Sequence, residues 1–121
     1  MDQPYVTRFD EPGAVVLAPN GEFDIGTVDI LREELHDVLE KNTHVVLDLS
    51  GVGFLDSLAL GSIVSAAKKA RDAGGWLRLV APSTPVRRAL RITQIDTVLG
   101  LYDTVAQAIA HSDDTAAGNP V

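Results

Sequence analysis

Apolar residues along this chain change period several times, and those changes mark out its elements. Tyr5 to Phe9 and Ala14 to Ala18 are two strand candidates, separated by Asp10-Glu11-Pro12-Gly13, which has the chemistry of a hairpin turn. Pro4 fits the start of an edge strand, where its missing N–H matters little. From Thr27 to about Leu39 the spacing becomes helical. Leu31, Leu35 and Val38 form the apolar line, helped by Ile30 and Leu39, while Arg32, Glu33, Asp37 and Glu40 face out. Lys41 and Asn42 provide a stop. Val45 to Leu49 is an apolar run broken only by Asp48, as expected of a strand covered on both faces.

Gly51 and Gly53 then punctuate a loop, and Asp56 with Ser57 supplies polar residues suited to capping a helix. In that helix Leu60, Ile63, Val64 and Ala67 recur on one face, whereas Gly61, Ser62, Ser65 and Ala66 make another face thin enough for close approach. Gly74-Gly75 suits a left-handed C-terminal cap. Trp76 to Val80 reads as the next strand, and Pro85 opens a short helix to about Arg91. Ile95 to Leu101 contains the last strand, and Thr104 to Ala110 the last helix, with Thr104 and Gln107 in capping-box spacing. Residues 112–121 lack periodic apolar positions and are expected to form a disordered tail behind a single domain over residues 1–111. Strands alternating with helices after a hairpin predict an α/β fold: a mixed, mostly parallel sheet of four to five strands with about four helices.

Composition narrows the function. With 121 residues, 45% of them hydrophobic and 22% charged, the chain can build one ordinary core. Its formal charge of −7 argues against non-specific nucleic-acid binding, which needs a basic face. The absence of cysteine excludes disulfides, thiolate metal sites and a cysteine nucleophile. No run approaches membrane-spanning length, and Met1-Asp2-Gln3-Pro4 does not read as a signal peptide, so a cytoplasmic protein is expected.

Candidate chemistry is sparse. His36, His44 and His111 have no metal-ligand spacing, and Gly51-x-Gly53 lacks the rest of a P-loop or dinucleotide fingerprint, so no metal or cofactor is expected. Arg87, Arg88 and Arg91 read as a solvated helix face, with a patch for an acidic partner as the alternative. Asp48 at a strand end suggests a phosphoaspartate receiver, but Lys41, Lys68 and Lys69 all precede the last strand, where a receiver needs its lysine. No nucleophile–base pair can be assembled, and an enzyme is not expected. Ser57 stands out instead. As a helix cap it would be worth about 1 kcal/mol. At the positive end of a helix dipole its hydroxyl is also where a phosphate is best tolerated.

Several separated motifs carry a resemblance. Leu47-Asp48-Leu49-Ser50, Gly51, Phe54-Leu55 and Asp56-Ser57-Leu58-Ala59-Leu60-Gly61 resemble the central motif of the anti-sigma-factor antagonists, the bacterial regulators that define the STAS domain. Gly21-Glu22-Phe23-Asp24 with Thr27 is similar to the family's Gly-Glu-Leu-Asp loop and the cap of its first helix. Gly74 to Val80 and Ser83 to Leu90 fit its next strand and third helix, and the likeness spans roughly residues 4 to 110. One departure is visible: Leu58-Ala59 stands where the family has Ser-Gly, a change expected to bear on kinase access, phosphatase access or partner selectivity.

The resemblance implies a STAS fold with helices mostly on one face and a non-enzymatic switch. The unmodified protein would bind an anti-sigma factor that is also a serine kinase, and so free a sigma factor. That kinase, using ATP and magnesium, would phosphorylate Ser57 and end the contact; a serine phosphatase would reset it. Asp24, Thr27, Asp56, Ser57, Leu58 and Ala59 are the expected partner-binding residues, with Asp24 and Asp56 read as surface and loop groups rather than an acid–base pair. A ligand- or nucleotide-sensing STAS module is the alternative, and weak self-association through the N-terminal edge strand stays open.

Overall fold

The structure is a computed structural model and describes residues 3–81, 84–97 and 99–111. The expected tail at 112–121 lies outside the described residues. Strands β1 (Tyr5–Glu11), β2 (Ala14–Phe23), β3 (His44–Asp48), β4 (Gly51–Leu55), β5 (Trp76–Val80) and β6 (Leu101–Tyr102) alternate with helices α1 (Val28–Lys41), α2 (Ser57–Asp72), α3 (Thr84–Ile92) and α4 (Val105–Ala110). All six strands join one sheet in the order β1-β2-β3-β5-β6, with β4 also paired to β2. Only β1–β2 is antiparallel, the expected hairpin, closed by Gly13 at φ +95°. The pairs β2–β3, β2–β4, β3–β5 and β5–β6 are parallel.

The alternation of side chains along β2 and β3 divides the core between two faces. Val15, Leu17, Val45 and Leu47 join Leu77 and Leu79 beneath α1, α2 and α3, in a cluster that includes Leu31, Leu35, Ile63 and Leu90. Ala14, Val16, Val46 and Val80 point the other way, against Ala108 of α4, with Trp76, Tyr102, Val105 and Ile109 completing a smaller cluster. Helices therefore lie mostly on one face, with short α4 covering the other. Arg78 of β5 is 4% exposed on the α4 side. Its Nη1 donates to the Ala108 and His111 carbonyl oxygens (2.8 and 3.1 Å), and its guanidinium carbon lies 3.7 Å from the Trp76 ring centroid. The cation thus holds carbonyls that the end of α4 leaves free.

Several expectations are corrected. The Gly51–Leu55 segment is a strand rather than a loop, because pairing with the far half of β2 buries Val52 and Leu55. At Gly51 the Asn20 side-chain oxygen would lie 2.2 Å from an added Cβ, so a larger residue there would have to displace the Asn20 amide. Strand β2 correspondingly runs to Phe23, well beyond Ala18. The first three residues of the segment expected to contain the last strand, Ile95–Thr97, instead form a 3-10 turn, and among the described residues pairing begins at Leu101. Val64 is exposed, the buried line of α2 being Ala59, Leu60, Ile63, Ala66, Ala67 and Ala70. In the α4 capping box Gln107 N donates to Thr104 Oγ1 (3.1 Å), while the Gln107 side chain reaches the Asp103 N–H one residue further back.

The two glycines after α2 do different work. Gly74 adopts φ +85°, and the Gly74 and Gly75 N–H groups bond to Arg71 O and Ala70 O, closing the helix as a Schellman turn. Gly75 instead needs to lack a Cβ, since one would sit 1.8 Å from the Thr43 carbonyl oxygen. Gly75→Ala should therefore cost about 2 kcal/mol in urea denaturation through overpacking, against about 1 kcal/mol for Gly74→Ala through left-handed strain.

Candidate functional site

The parallel pairing of β2 with β4 ends at Phe23 and Leu55, so the next residues of both strands emerge side by side. Asp56 N donates to Phe23 O (3.1 Å), fixing the start of α2 against the loop that leads into α1. That loop, residues 24–27, is closed on itself. Asp24 O accepts from the N–H groups of Thr27 (3.0 Å) and Val28 (2.8 Å), and Asp24 Oδ1 accepts from Gly26 N (2.9 Å). Thr27 Oγ1 accepts from Asp24 N at 3.0 Å and lies within donating distance of Asp24 Oδ1 (3.1 Å) and Glu22 O (3.2 Å). Thr27 occupies the N-cap position of α1, but its side chain makes no capping bond. The hydroxyl is turned back to order Asp24, a correction to its expected role as a cap.

At α2 the cap is Asp56 alone. Its backbone is extended (φ −86°, ψ −178°), and Oδ1 accepts from Ala59 N at 2.9 Å. Ser57 is consequently the first helical residue, exposed, and not the cap suggested by its position. By helix geometry the N–H groups of Ser57 and Leu58 have no intrahelical acceptor. Asp56→Ala should lower stability by about 1 kcal/mol in urea denaturation, the usual loss for an N-cap carboxylate.

Of the other expected surface residues, Leu58 is 43% exposed, whereas Ala59 is fully buried because its position in the first turn points into the core. The structure therefore removes the Ala59 side chain from any contact surface. Two apolar side chains not among the expected partner-binding residues flank the same end of the molecule: Ile25, 76% exposed between Asp24 and Thr27, and Phe54, 49% exposed two residues before Asp56. Ile25 sits inside a tight polar turn, a local signal. Phe54 follows a register shift between β2 and β4 that leaves Val52 and Leu55, three residues apart, both buried.

From Ser57 a groove of about 510 Å³ runs between α1 and α2. Leu35, Leu39, Leu58 and Ala66 supply its apolar lining, while Arg32, His36 and Lys69 supply all of its ionisable lining. The thin face of α2 opens here, and nothing lies within 4 Å of where a Gly61 Cβ would be. Arg32 Nη1 pairs with Asp29 at 2.9 Å and its Nε lies 3.5 Å from Ser62 Oγ. His36 Nε2 lies 3.4 Å from Glu40, and Lys69 Nζ lies 3.2 Å from His36 Nδ1.

Away from this end, Arg87 is not a purely solvated residue. Its guanidinium bonds to the Ala81 carbonyl and to Asp103, tying α3 to the segment after β6. Arg88 and Arg91 are exposed, as expected. The Asp48 carboxylate accepts from the backbone N–H and hydroxyl of Ser50, bracing the turn into β4. Among the described residues no group of three or more His, Asp or Glu side chains is placed to hold a metal ion. No described helix is long and apolar enough to cross a membrane.

Comparison with known proteins agrees with this architecture. The family model for the STAS domain matches residues 6–108. The chain belongs to the STAS domain family. The anti-sigma-F factor antagonist RsfB of Mycobacterium tuberculosis is 31% identical over 105 residues, covering 86% of this chain and 85% of its own. An anti-sigma factor antagonist from Mycobacterium paratuberculosis superposes with a TM-score of 0.75 at 28% identity, over 87% of this chain and 90% of that one. SpoIIAA in its unphosphorylated form shares the fold at 20% identity, with a TM-score of 0.71 over 94% of this chain and 97% of its own.

Proposed function

We propose that this STAS chain is an anti-sigma-factor antagonist controlled by phosphorylation of Ser57. The observation that carries the reading is the placement of Ser57. Its hydroxyl is exposed on the first residue of a helix already capped by Asp56, with the Asp24–Thr27 loop held alongside. Ile25, Phe54 and Leu58 surround that end with exposed apolar surface of the kind that a protein partner covers. RsfB and the Mycobacterium paratuberculosis protein, both named as antagonists of anti-sigma factors, support the assignment.

In this reading the chain is a substrate and a binding module, not an enzyme, and it acts in the cytoplasm through residues 1–111 as one unit. The unmodified face, with Asp24, Asp56, Ser57 and Leu58 presented and Thr27 holding the loop, docks on an anti-sigma factor and releases its sigma factor. The anti-sigma factor is also a kinase and transfers a phosphoryl group from ATP, with magnesium, to Ser57 Oγ. A separate serine phosphatase restores the hydroxyl. Leu58 enlarges the apolar contact relative to the serine found in the family motif, and so favours a partner with an apolar complement.

Capture from the native host's lysate tests this directly, with unmodified and stoichiometrically Ser57-phosphorylated protein as baits. A kinase-like anti-sigma factor retained only by the unmodified form is the expected outcome. Equal retention by both baits removes Ser57 from the mechanism. The basic, partly apolar groove favours one second reading, a ligand-sensing module, for which calorimetric titration with GTP and ATP would have to give saturable heat.

A further inference from the structure

We propose that Arg32 is the internal counter-charge for a phosphate on Ser57, so that modification draws the guanidinium to Ser57 and holds it there. The inference rests on Ser57 being the phosphoacceptor and adds the residue that receives the phosphate.

Position comes first. Arg32 and Ser57 belong to different helices but line the same groove. The guanidinium already crosses from α1 to α2, with Nε 3.5 Å from Ser62 Oγ. Ser62 Oγ in turn donates to the carbonyl of Leu58 (2.9 Å), the residue that follows Ser57. Arg32 also leans back along α1 to reach Asp29, and so toward the end at which Ser57 lies.

The other cations in the groove are too far along it. Lys69 is twelve residues beyond Ser57 on α2, about 18 Å of helix rise. It is engaged with His36, which faces Glu40. Ser62 is only five residues beyond Ser57, about 7.5 Å, within the span that a phosphoserine and an arginine can close together. Nor does a carboxylate line the groove, and Asp56 is turned onto Ala59 N.

The present partners of Arg32 are weak enough to exchange. The Asp29 pair is a surface contact with side chains 53% and 74% exposed, and the Ser62 contact is at the limit of hydrogen-bond length. A phosphate dianion offers three acceptor oxygens to a planar fork of donors, a charge-assisted geometry stronger than either. The N–H groups of Ser57 and Leu58, without intrahelical acceptors, add positive potential at the same end of the helix. Modification therefore changes two charges on this face, adding a dianion and engaging a cation with it.

The test needs neither kinase nor partner. Phosphoserine is encoded at position 57 of the full chain, and its second ionisation is followed by phosphorus NMR against pH. A guanidinium contact favours the dianion and lowers that pKa, so Arg32→Gln should raise it by roughly half a unit. Lys69→Gln should leave it in place, and Arg32→Lys should recover part of the shift. In the phosphorylated wild-type protein, the Arg32 Nε–H resonance should titrate with the phosphate, a readout that survives even if a variant misfolds. Coincident titration curves for wild type and Arg32→Gln, or an Arg32 signal indifferent to the phosphate, would overturn the pairing. Failure of the switch is separate: a partner that ignores phosphorylation removes the switch whatever the titration curves show.

Discussion

Phe23→Ala should destabilise the protein by about 4 kcal/mol, the largest effect expected of any single truncation near the site. Phe23 is fully buried and is among the largest side chains so enclosed. It is also the last residue of β2, paired with Leu55 of β4, and its carbonyl receives the Asp56 N–H. Truncation thus opens a cavity directly beneath the two segments that carry Asp24 and Ser57. Urea denaturation followed by circular dichroism measures the loss, and hydrogen exchange at Thr27, Val28 and Ala59 should quicken more than exchange in β3. Phe23→Leu keeps most of the volume and should cost about 1 kcal/mol. A Phe23→Ala midpoint close to wild type would mean that the cavity collapses without disturbing the floor of the site.

That floor also explains which parts of the molecule could be read from the chain. The β1–β2 hairpin, α1, β3, the start of α2 and β5 carry local signals that agree with their tertiary environment, so periodicity located them within a few residues. The exceptions are β6, the far half of β2 and the strand it pairs with, β4. Two glycines in Gly51-Val52-Gly53 look like loop chemistry, but the segment pairs with the far half of β2, a contact with no local trace. Two N-terminal caps, those expected of Thr27 and Ser57, failed for a similar reason. Thr27 and Ser57 are the residue types that cap helices, yet Asp24 and Asp56, three residues and one residue earlier, organise the hydrogen bonds at each start. Spacing named the right neighbourhood without saying which oxygen faces which N–H. Arg78 left a fainter mark, a single charge in an otherwise apolar strand, and its role depends on α4, thirty residues on. The groove could not be read at all, because it exists only where the thin face of α2 meets the basic side of α1.

Phosphorylation of Ser57 should weaken the partner complex about 100-fold or more, equivalent to roughly 2.7 kcal/mol, while leaving the fold intact. The two halves of that expectation have separate physical causes. Ser57 is exposed on the first turn of α2, its hydroxyl makes no capping bond, and the cap is held by Asp56. A dianion there replaces nothing that the fold uses. It meets a helix N-terminus, worth about 0.3 to 1 kcal/mol in favour of the modified protein. The denaturation midpoint should therefore stay level or rise slightly. On the proposed docking face the same group would be enclosed beside Leu58, Ile25 and Phe54, apolar side chains that cannot compensate a desolvated charge. The loss should appear mainly in the dissociation rate. Ser57→Ala should bind as the unmodified protein does and accept no phosphate. Surface plasmon resonance with the captured anti-sigma factor, run beside thermal denaturation of the same samples, separates the effects. Affinity falling together with stability would assign the switch to local unfolding of α2; affinity falling alone assigns it to the charge placed on an intact surface.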